Sequence, residues 1–171
     1  GVRRFVFLSS IKVNGEGTEP GQAYQADAAP APQDAYGLSK AEAEAGLRSI
    51  AARTGMELVI IRPPLVYGAG VKGNFASMLR WMHKGVPLPL AAVSENRRSL
   101  VALDNLLDFI SLCFKHPQAA GQTFLVSDGE DCSTAELLRS IARAQGRRDR
   151  LFWLPVSLLQ LAAQLLGKGA V

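Results

Sequence analysis

The sequence predicts an α/β protein built on a parallel sheet, and three features carry that expectation. "RRFVFLSS" at 3–10 is a continuous apolar run ending in small hydroxyl residues, and "ELVIIRPP" at 57–64 is a second, closed by a Pro pair. Both read as buried parallel strands. The third feature is the helix-forming stretch between them, from about Ala35 to Thr54. Strand, helix and strand at this spacing make a right-handed crossover unit.

Taken in order, the first strand leads into a segment rich in Gly, Pro, Ala and Gln from about Asn14 to Gln33. An unstructured loop of about twenty residues is unusual in a compact domain unless it serves a site. The helix that follows is expected to bury Ala43, Leu47, Ile50 and Ala51 and to end at Gly55, a natural C′ residue. Beyond Gly68 the pattern is mixed. "NFASMLRWMHKG" reads as a helix with Phe75, Met78, Leu79 and Met82 on one face, and "RRSLVAL" as a short strand. Asp104 is expected to cap a helix running to about His116, stopped by Pro117. "QTFLVSD" reads as another strand. Ser133 and Glu136 form a capping box opening "TAELLRSIARAQ", closed by Gly146. Near the end, Leu158, Leu159, Leu161, Ala162, Leu165 and Leu166 cover most of a helix, with Gln160 and Gln164 on its polar face and no basic residue before Lys168. That helix reads as docked on the core, or as lying on a membrane surface.

Composition limits the function classes. The chain has 171 residues, 48% of them hydrophobic, with a net charge of +4. No run of about 18 apolar residues is present to span a bilayer, and the cytoplasm is the default expectation. The densest basic cluster, "RRDR" at 147–150, lacks interleaved aromatics, so no nucleic acid is expected as a partner. Cys113 and Cys132 have neither disulfide-framework nor zinc spacing, and His83 and His116 lack a second ligand, so no metal is expected. The chain opens almost directly in an apolar run without a start methionine and reads as a piece of a longer one.

"AYGLSKAEAE" at 35–44 carries the chemistry. Residues four apart on a helix are neighbours, so the Lys40 ammonium can approach the Tyr36 phenol. A nearby positive charge favours the phenolate, the form that can act as general base. A hydroxyl from Ser9 or Ser10, at the carboxyl end of the first strand, would complete a proton-transfer site where open α/β sheets bind ligands. The alternative makes Tyr36 a packing residue and Lys40 a solvated charge, which leaves the hydroxyl-ended strand and the long loop unexplained.

The ordered set "FVFLSSIKVNG", "YGLSKAEAE", "RPPLVYG" and "NRRSLVALDNL" resembles the extended short-chain dehydrogenase/reductase family, in its NAD-dependent epimerase/dehydratase branch typified by UDP-glucose 4-epimerase. The resemblance implies NAD- or NADP-dependent oxidation or reduction at a sugar carbon of a nucleotide-sugar substrate. It makes Ser10 the catalytic hydroxyl, Tyr36 the proton-transferring base, and Lys40 the residue that favours the phenolate and holds the nicotinamide ribose. Ser9, Arg62, Pro63 and Leu65 would line the cofactor, the strand end by its backbone, and Asn74 and Arg98 would contact the nucleotide diphosphate. Arg98 suits phosphate because its planar donors fork onto oxygens, with a surface strand charge beside Arg97 as the lesser alternative. Family members often dimerise through the Tyr-Lys helix, so a homodimer is expected.

Departures narrow the resemblance. Dehydratases of the family carry an Asp-Glu pair after the catalytic hydroxyl, and Ile11 and Lys12 stand here. Asn14 replaces the usual Tyr of the first V-Y-G. The wording around "LPLAAVSENRRSLVALDNL" is most similar to surface-polysaccharide enzymes of the branch, and both 4-epimerase (UDP-hexose type) and 4-keto reductase acting on nucleotide- or lipid-linked sugars stay open. A non-catalytic nucleotide-binding module of the same fold is the reading from another class. The dinucleotide fingerprint should lie about a hundred residues upstream of Ser10. "GAGVKGN" at 68–74 follows a Pro-ended strand and reads as a loop. The expected architecture is the C-terminal part of a Rossmann-type doubly wound parallel sheet (1–66) plus a small α/β substrate-binding domain (67–171), with some segments returning to the sheet.

Overall fold

The computed structural model describes residues 1–71 and 73–165, and for residues 160 and 162–165 the backbone alone. Three strands, β1 (Arg4–Leu8), β2 (Glu57–Arg62) and β5 (Thr123–Leu125), form a parallel sheet in the order β1-β2-β5. The register pairs Arg4 with Glu57 through Leu8 with Ile61, and Ile60 with Thr123 through Arg62 with Leu125. Strands β3 (Leu65–Tyr67) and β4 (Leu100–Ala102) pair separately.

Helix α1 (Ala35–Thr54) is the crossover from β1 to β2, and α3 (Leu103–Lys115) follows β4. Every residue of β2 after Glu57 is buried. Side chains alternate along a strand, so Val59 and Ile61 share one face. They form a core with Val101, Leu106, Cys113 and Ala119, joined by Phe109 and Phe124, whose rings meet edge to face at 5.2 Å. Leu58, Ile60 and Arg62 point to the other face, and Arg62 reaches α1. Burying each Val or Ile contributes about 1.5–3 kcal/mol, which makes β2 the axis of this unit. Arg4 closes one end of it: Nε donates to Glu57 at 2.8 Å, and one terminal nitrogen donates to the Cys113 and His116 carbonyls, both at 2.8 Å, at the end of α3.

The chain divides into two compact units, one of residues 1–68 and 101–128, the other of residues 69–100 and 129–171. In the second, α2 (Asn74–Lys84) packs on α4 (Thr134–Ala144), burying Phe75 and Met82 with Leu138, Ile141 and Ala142. Ser133 and Glu136 form the expected capping box, with bonds of 3.1 and 2.7 Å, and Gly146 turns the chain with a positive φ. Helix α5 spans Val156–Leu165. Its Leu158 and Leu161 are half exposed, while Leu166, Lys168 and the side chains of Gln160, Ala162, Gln164 and Leu165 lie outside the described residues.

Several local expectations need correction. Strand β1 is parallel but not fully buried: Phe5 and Leu8 are exposed, because among the described residues only one edge of β1 is paired. Ile50 is exposed too, and Ala43, Leu47 and Ala51 are only half-buried; the buried positions of α1 are Gly37 and Glu44. Asp104 sits in the first turn of α3 and does not cap it. Asp128 instead braces the residue before the helix, accepting bonds from the Ala102 amide at 3.0 Å, the Asn105 side chain at 2.8 Å and the Tyr67 hydroxyl at 2.8 Å.

Candidate active site at the carboxyl end of β1

Two backbone bonds carry the β1–β2 ladder past the strand, Ser9 N–H to the Ile61 carbonyl (2.7 Å) and Ile11 N–H to the Pro63 carbonyl (3.0 Å). Ser10 is extended, and its Oγ accepts from the Lys12 amide at 3.3 Å, opening a single 3-10 turn over Ile11–Val13. The hydroxyl thus caps with its oxygen and keeps its proton to give.

Helix α1 begins beside that turn. Asp34 is its N-cap, with Oδ1 accepting from the Gly37 amide at 2.6 Å, so Tyr36 stands in the first turn. Gly37 is buried, and a Cβ there would lie 2.7 Å from the Lys12 carbonyl oxygen. Only a residue without a side chain lets the start of α1 come this close. The Lys12 ammonium adds a polar tie, donating to Asp34 at 2.6 Å and Glu16 at 2.8 Å. Those two carboxylates hold the Lys12 ammonium above its ordinary value, and Lys12 with the Gly37 amide holds the Asp34 carboxyl below its own.

Tyr36 is half exposed. Lys40 Nζ lies 5.8 Å from its ring centroid and 5.0 Å from that of Phe7, and donates to the Leu8 carbonyl at 3.1 Å. One of three ammonium protons is spent on the end of β1, leaving two donors beside the phenol ring.

Beneath this surface is a group that the sequence does not announce. Tyr36, Lys40 and Glu44 recur every four residues on one face of α1, and Glu44 is almost wholly buried. Its Oε1 accepts from Ser9 Oγ at 2.6 Å and Arg62 Nε at 2.9 Å, and its Oε2 from Arg62 at 2.6 Å. Arg62 also donates to Asn14 Oδ1 at 2.9 Å and to the Ala26 carbonyl at 3.5 Å, and Asn14 donates to the Gln25 carbonyl at 2.9 Å. Burial works to raise the Glu44 carboxyl, but the bonds from Arg62 and Ser9 outweigh it and hold the group below its ordinary value. The network joins β1, α1, β2 and the loop after Asn14. One signal points to it: an arginine closing an otherwise apolar strand needs a buried acid.

The remaining expected site residues divide between the units. Ser9 and Arg62 turn their side chains inward onto Glu44. Leu65 begins β3, and Pro63 precedes it. Asn74, the first residue of α2, and Arg98 belong to the second unit. There Arg98 bridges Cys132 through its backbone, with bonds of 2.8 and 3.1 Å, and donates from Nε to Thr134 at 2.9 Å. Among the described residues no His, Cys, Asp and Glu cluster could hold a metal ion, and Cys113 and Cys132 are free thiols pushed up by burial.

Residues 1–127 match the family model described as the NAD dependent epimerase/dehydratase family. The chain belongs to that family. It is 50% identical over all 171 residues to a Vibrio cholerae protein named UDP-glucose 4-epimerase, covering 52% of that protein. It is 27% identical over 161 residues, 92% of this chain and 47% of the relative, to an Escherichia coli O157:H7 protein named as a 4-epimerase of N-acetylglucosaminyl-diphospho-undecaprenol. The chain therefore spans about half the length of these curated relatives. Among solved structures, the Thermus thermophilus UDP-glucose 4-epimerase in complex with NAD superposes with a TM-score of 0.72 at 21% identity, over 94% of this chain and 58% of that one. Its fold, a Rossmann-type α/β sheet, is the fold of this chain.

Proposed function

We propose that the protein carrying this chain is an NAD-dependent nucleotide-sugar 4-epimerase acting on UDP-hexoses. The observation that carries the reading is the junction of the Ser10 turn with the first turn of α1, where Tyr36 and Lys40 share a face at the carboxyl end of β1. The 50% identity to the Vibrio cholerae epimerase across the whole chain supports the same activity. The donor set suits the cofactor: Lys40 has two unspent protons for ribose hydroxyls, and Tyr36 is open to a ligand. A bound NAD would supply the hydride acceptor and, once reduced, the donor to the opposite face of the same sugar carbon.

The chain's own residues manage the proton. Tyr36 Oη takes the proton of the sugar hydroxyl as its carbon is oxidised and gives it back on reduction. Lys40, one helical turn on, presents its ammonium beside the Tyr36 ring, 5.8 Å from its centroid. Ser10 Oγ donates to the sugar oxygen, stabilising the charge that develops there. Asn74 and the unspent donors of Arg98 are the groups we assign to the diphosphate. Surface-polysaccharide biosynthesis is the setting we infer, on the likeness to the enzyme acting on an undecaprenol-linked sugar. The exposed Leu38 and Ile50 of α1 support a homodimer, which sedimentation of the whole protein tests.

The deciding assay incubates the whole protein and NAD with UDP-galactose, UDP-glucose and their N-acetyl forms and follows C4 inversion by proton NMR. Interconversion of a pair, reduced about 10²–10⁴-fold by Tyr36→Phe with UDP-sugar binding kept, supports the epimerase. Binding without turnover would establish the nucleotide-binding module instead.

A further inference from the structure

Lys12 follows the hydroxyl assigned to catalysis by two residues and touches the helix carrying the assigned base in two ways. Its carbonyl oxygen fills the place where a side chain at Gly37 would be, 2.7 Å from the ideal Cβ. Its ammonium holds the Asp34 carboxylate at 2.6 Å, whose other oxygen caps the Gly37 amide at 2.6 Å, one residue after Tyr36. Asp34 therefore uses one oxygen for α1 and the other for Lys12. We propose that Lys12 is a positioning residue: by clamping the Asp34 cap it fixes the turn carrying Tyr36 to the turn carrying Ser10, a role that rests on the assignment of those two residues above.

Magnitudes separate this role from simple stabilisation. Both side chains of the Lys12–Asp34 pair remain 38–39% exposed, and such pairs add little to the stability of a fold. A displaced reacting group, by contrast, can cost up to about 10²-fold in rate. Lys12 should therefore matter far more to kcat than to melting temperature. Glu16, its other partner at 2.8 Å, lies in the same turn-and-loop segment as Lys12 and not on α1, so it cannot replace Asp34.

The test uses the whole protein in four forms besides wild type: Lys12→Met, Lys12→Arg, Asp34→Asn and the Met/Asn double variant. Asparagine keeps an oxygen for the Gly37 amide but loses the carboxylate that Lys12 grips. Expected are a fall in kcat of about tenfold for Lys12→Met and for Asp34→Asn, with KM for the UDP-sugar within about twofold, and no further fall in the double variant. Lys12→Arg should recover most of the loss. Amide hydrogen exchange at Gly37 and Leu38 should quicken in Lys12→Met, with melting nearly unmoved. Wild-type kcat in Lys12→Met, losses that add in the double variant, or a kcat loss matched by a fall in melting temperature would each overturn the proposal. If the wild-type protein turns over no UDP-sugar, the epimerase reading fails by itself. The exchange comparison then decides the clamp: faster exchange at Gly37 in Lys12→Met supports it, and unchanged exchange overturns it.

Discussion

Glu44 has three donors on two oxygens and almost no contact with water, and its energetics follow from that. Removing its charge with Glu44→Gln leaves the Arg62 guanidinium buried and uncompensated, so urea denaturation should show a loss of about 3–5 kcal/mol. Replacing both members with methionine should recover much of the loss, because desolvation of the pair offsets most of its attraction. The pair also sets a pH dependence. The folded carboxyl titrates below its ordinary 4.5, so its stabilisation is fully present above pH 4.5 and fades as pH falls through the folded value. A stability profile from pH 7 to 3 should show that acid limb flattened in Glu44→Gln. At this scale the sequence was partly legible: the four-residue spacing suggests that Tyr36 and Lys40 are neighbours, and the structure sets the ammonium 5.8 Å from the ring centroid. Glu44 stayed hidden because on paper it is one more charge in "KAEAE". Its burial depends on Arg62, eighteen positions away.

Element α1 contains two glycines that helix propensity treats alike and the fold does not. At Gly46 a Cβ would meet nothing within 4 Å, so Gly46→Ala should stabilise by about 0.5–1 kcal/mol, the ordinary gain from removing backbone freedom. At Gly37 the same methyl lies 2.7 Å from the Lys12 carbonyl, an overpacking cost of about 1–3 kcal/mol that reverses the sign. Thermal unfolding of the two alanine variants, one up and one down, checks this, and only Gly37→Ala should also depress turnover. The helix bounds, the Gly55 ending and the Ser133 box were legible because caps and glycines act locally. The brace before α3 was not, because Asp128 lies twenty-odd positions after the helix start beside which it bonds. The 3-10 turn after Ser10 escaped for a related reason: three residues carry no periodicity to read.

On the scale of the molecule, the chain passes between its two units at 68/69, 100/101 and 128/129. Asp128 stands at the last passage and bonds Tyr67, just before the first, and Ala102, just after the second. Asp128→Ala should therefore loosen all three, beyond the roughly 1 kcal/mol of a single lost hydrogen bond. Hydrogen exchange should quicken at Tyr67, Ala102 and Asn105 together. Binding adds a second expectation: NAD at a hundred times its dissociation constant should stabilise the whole protein by about 2.7 kcal/mol, visible as a raised melting temperature. The strand-helix-strand beginning was plain in the sequence because its parts are contiguous. The interleaving was less so, since nothing in "QTFLVSD" says which unit it joins. That interleaving bears on how such a protein can be recombined. A single crossover with a relative between residues 69 and 128 splits one unit or mates a unit's two segments from different parents. A chimaera that keeps each unit of one parentage requires three junctions, at the passages Asp128 draws together.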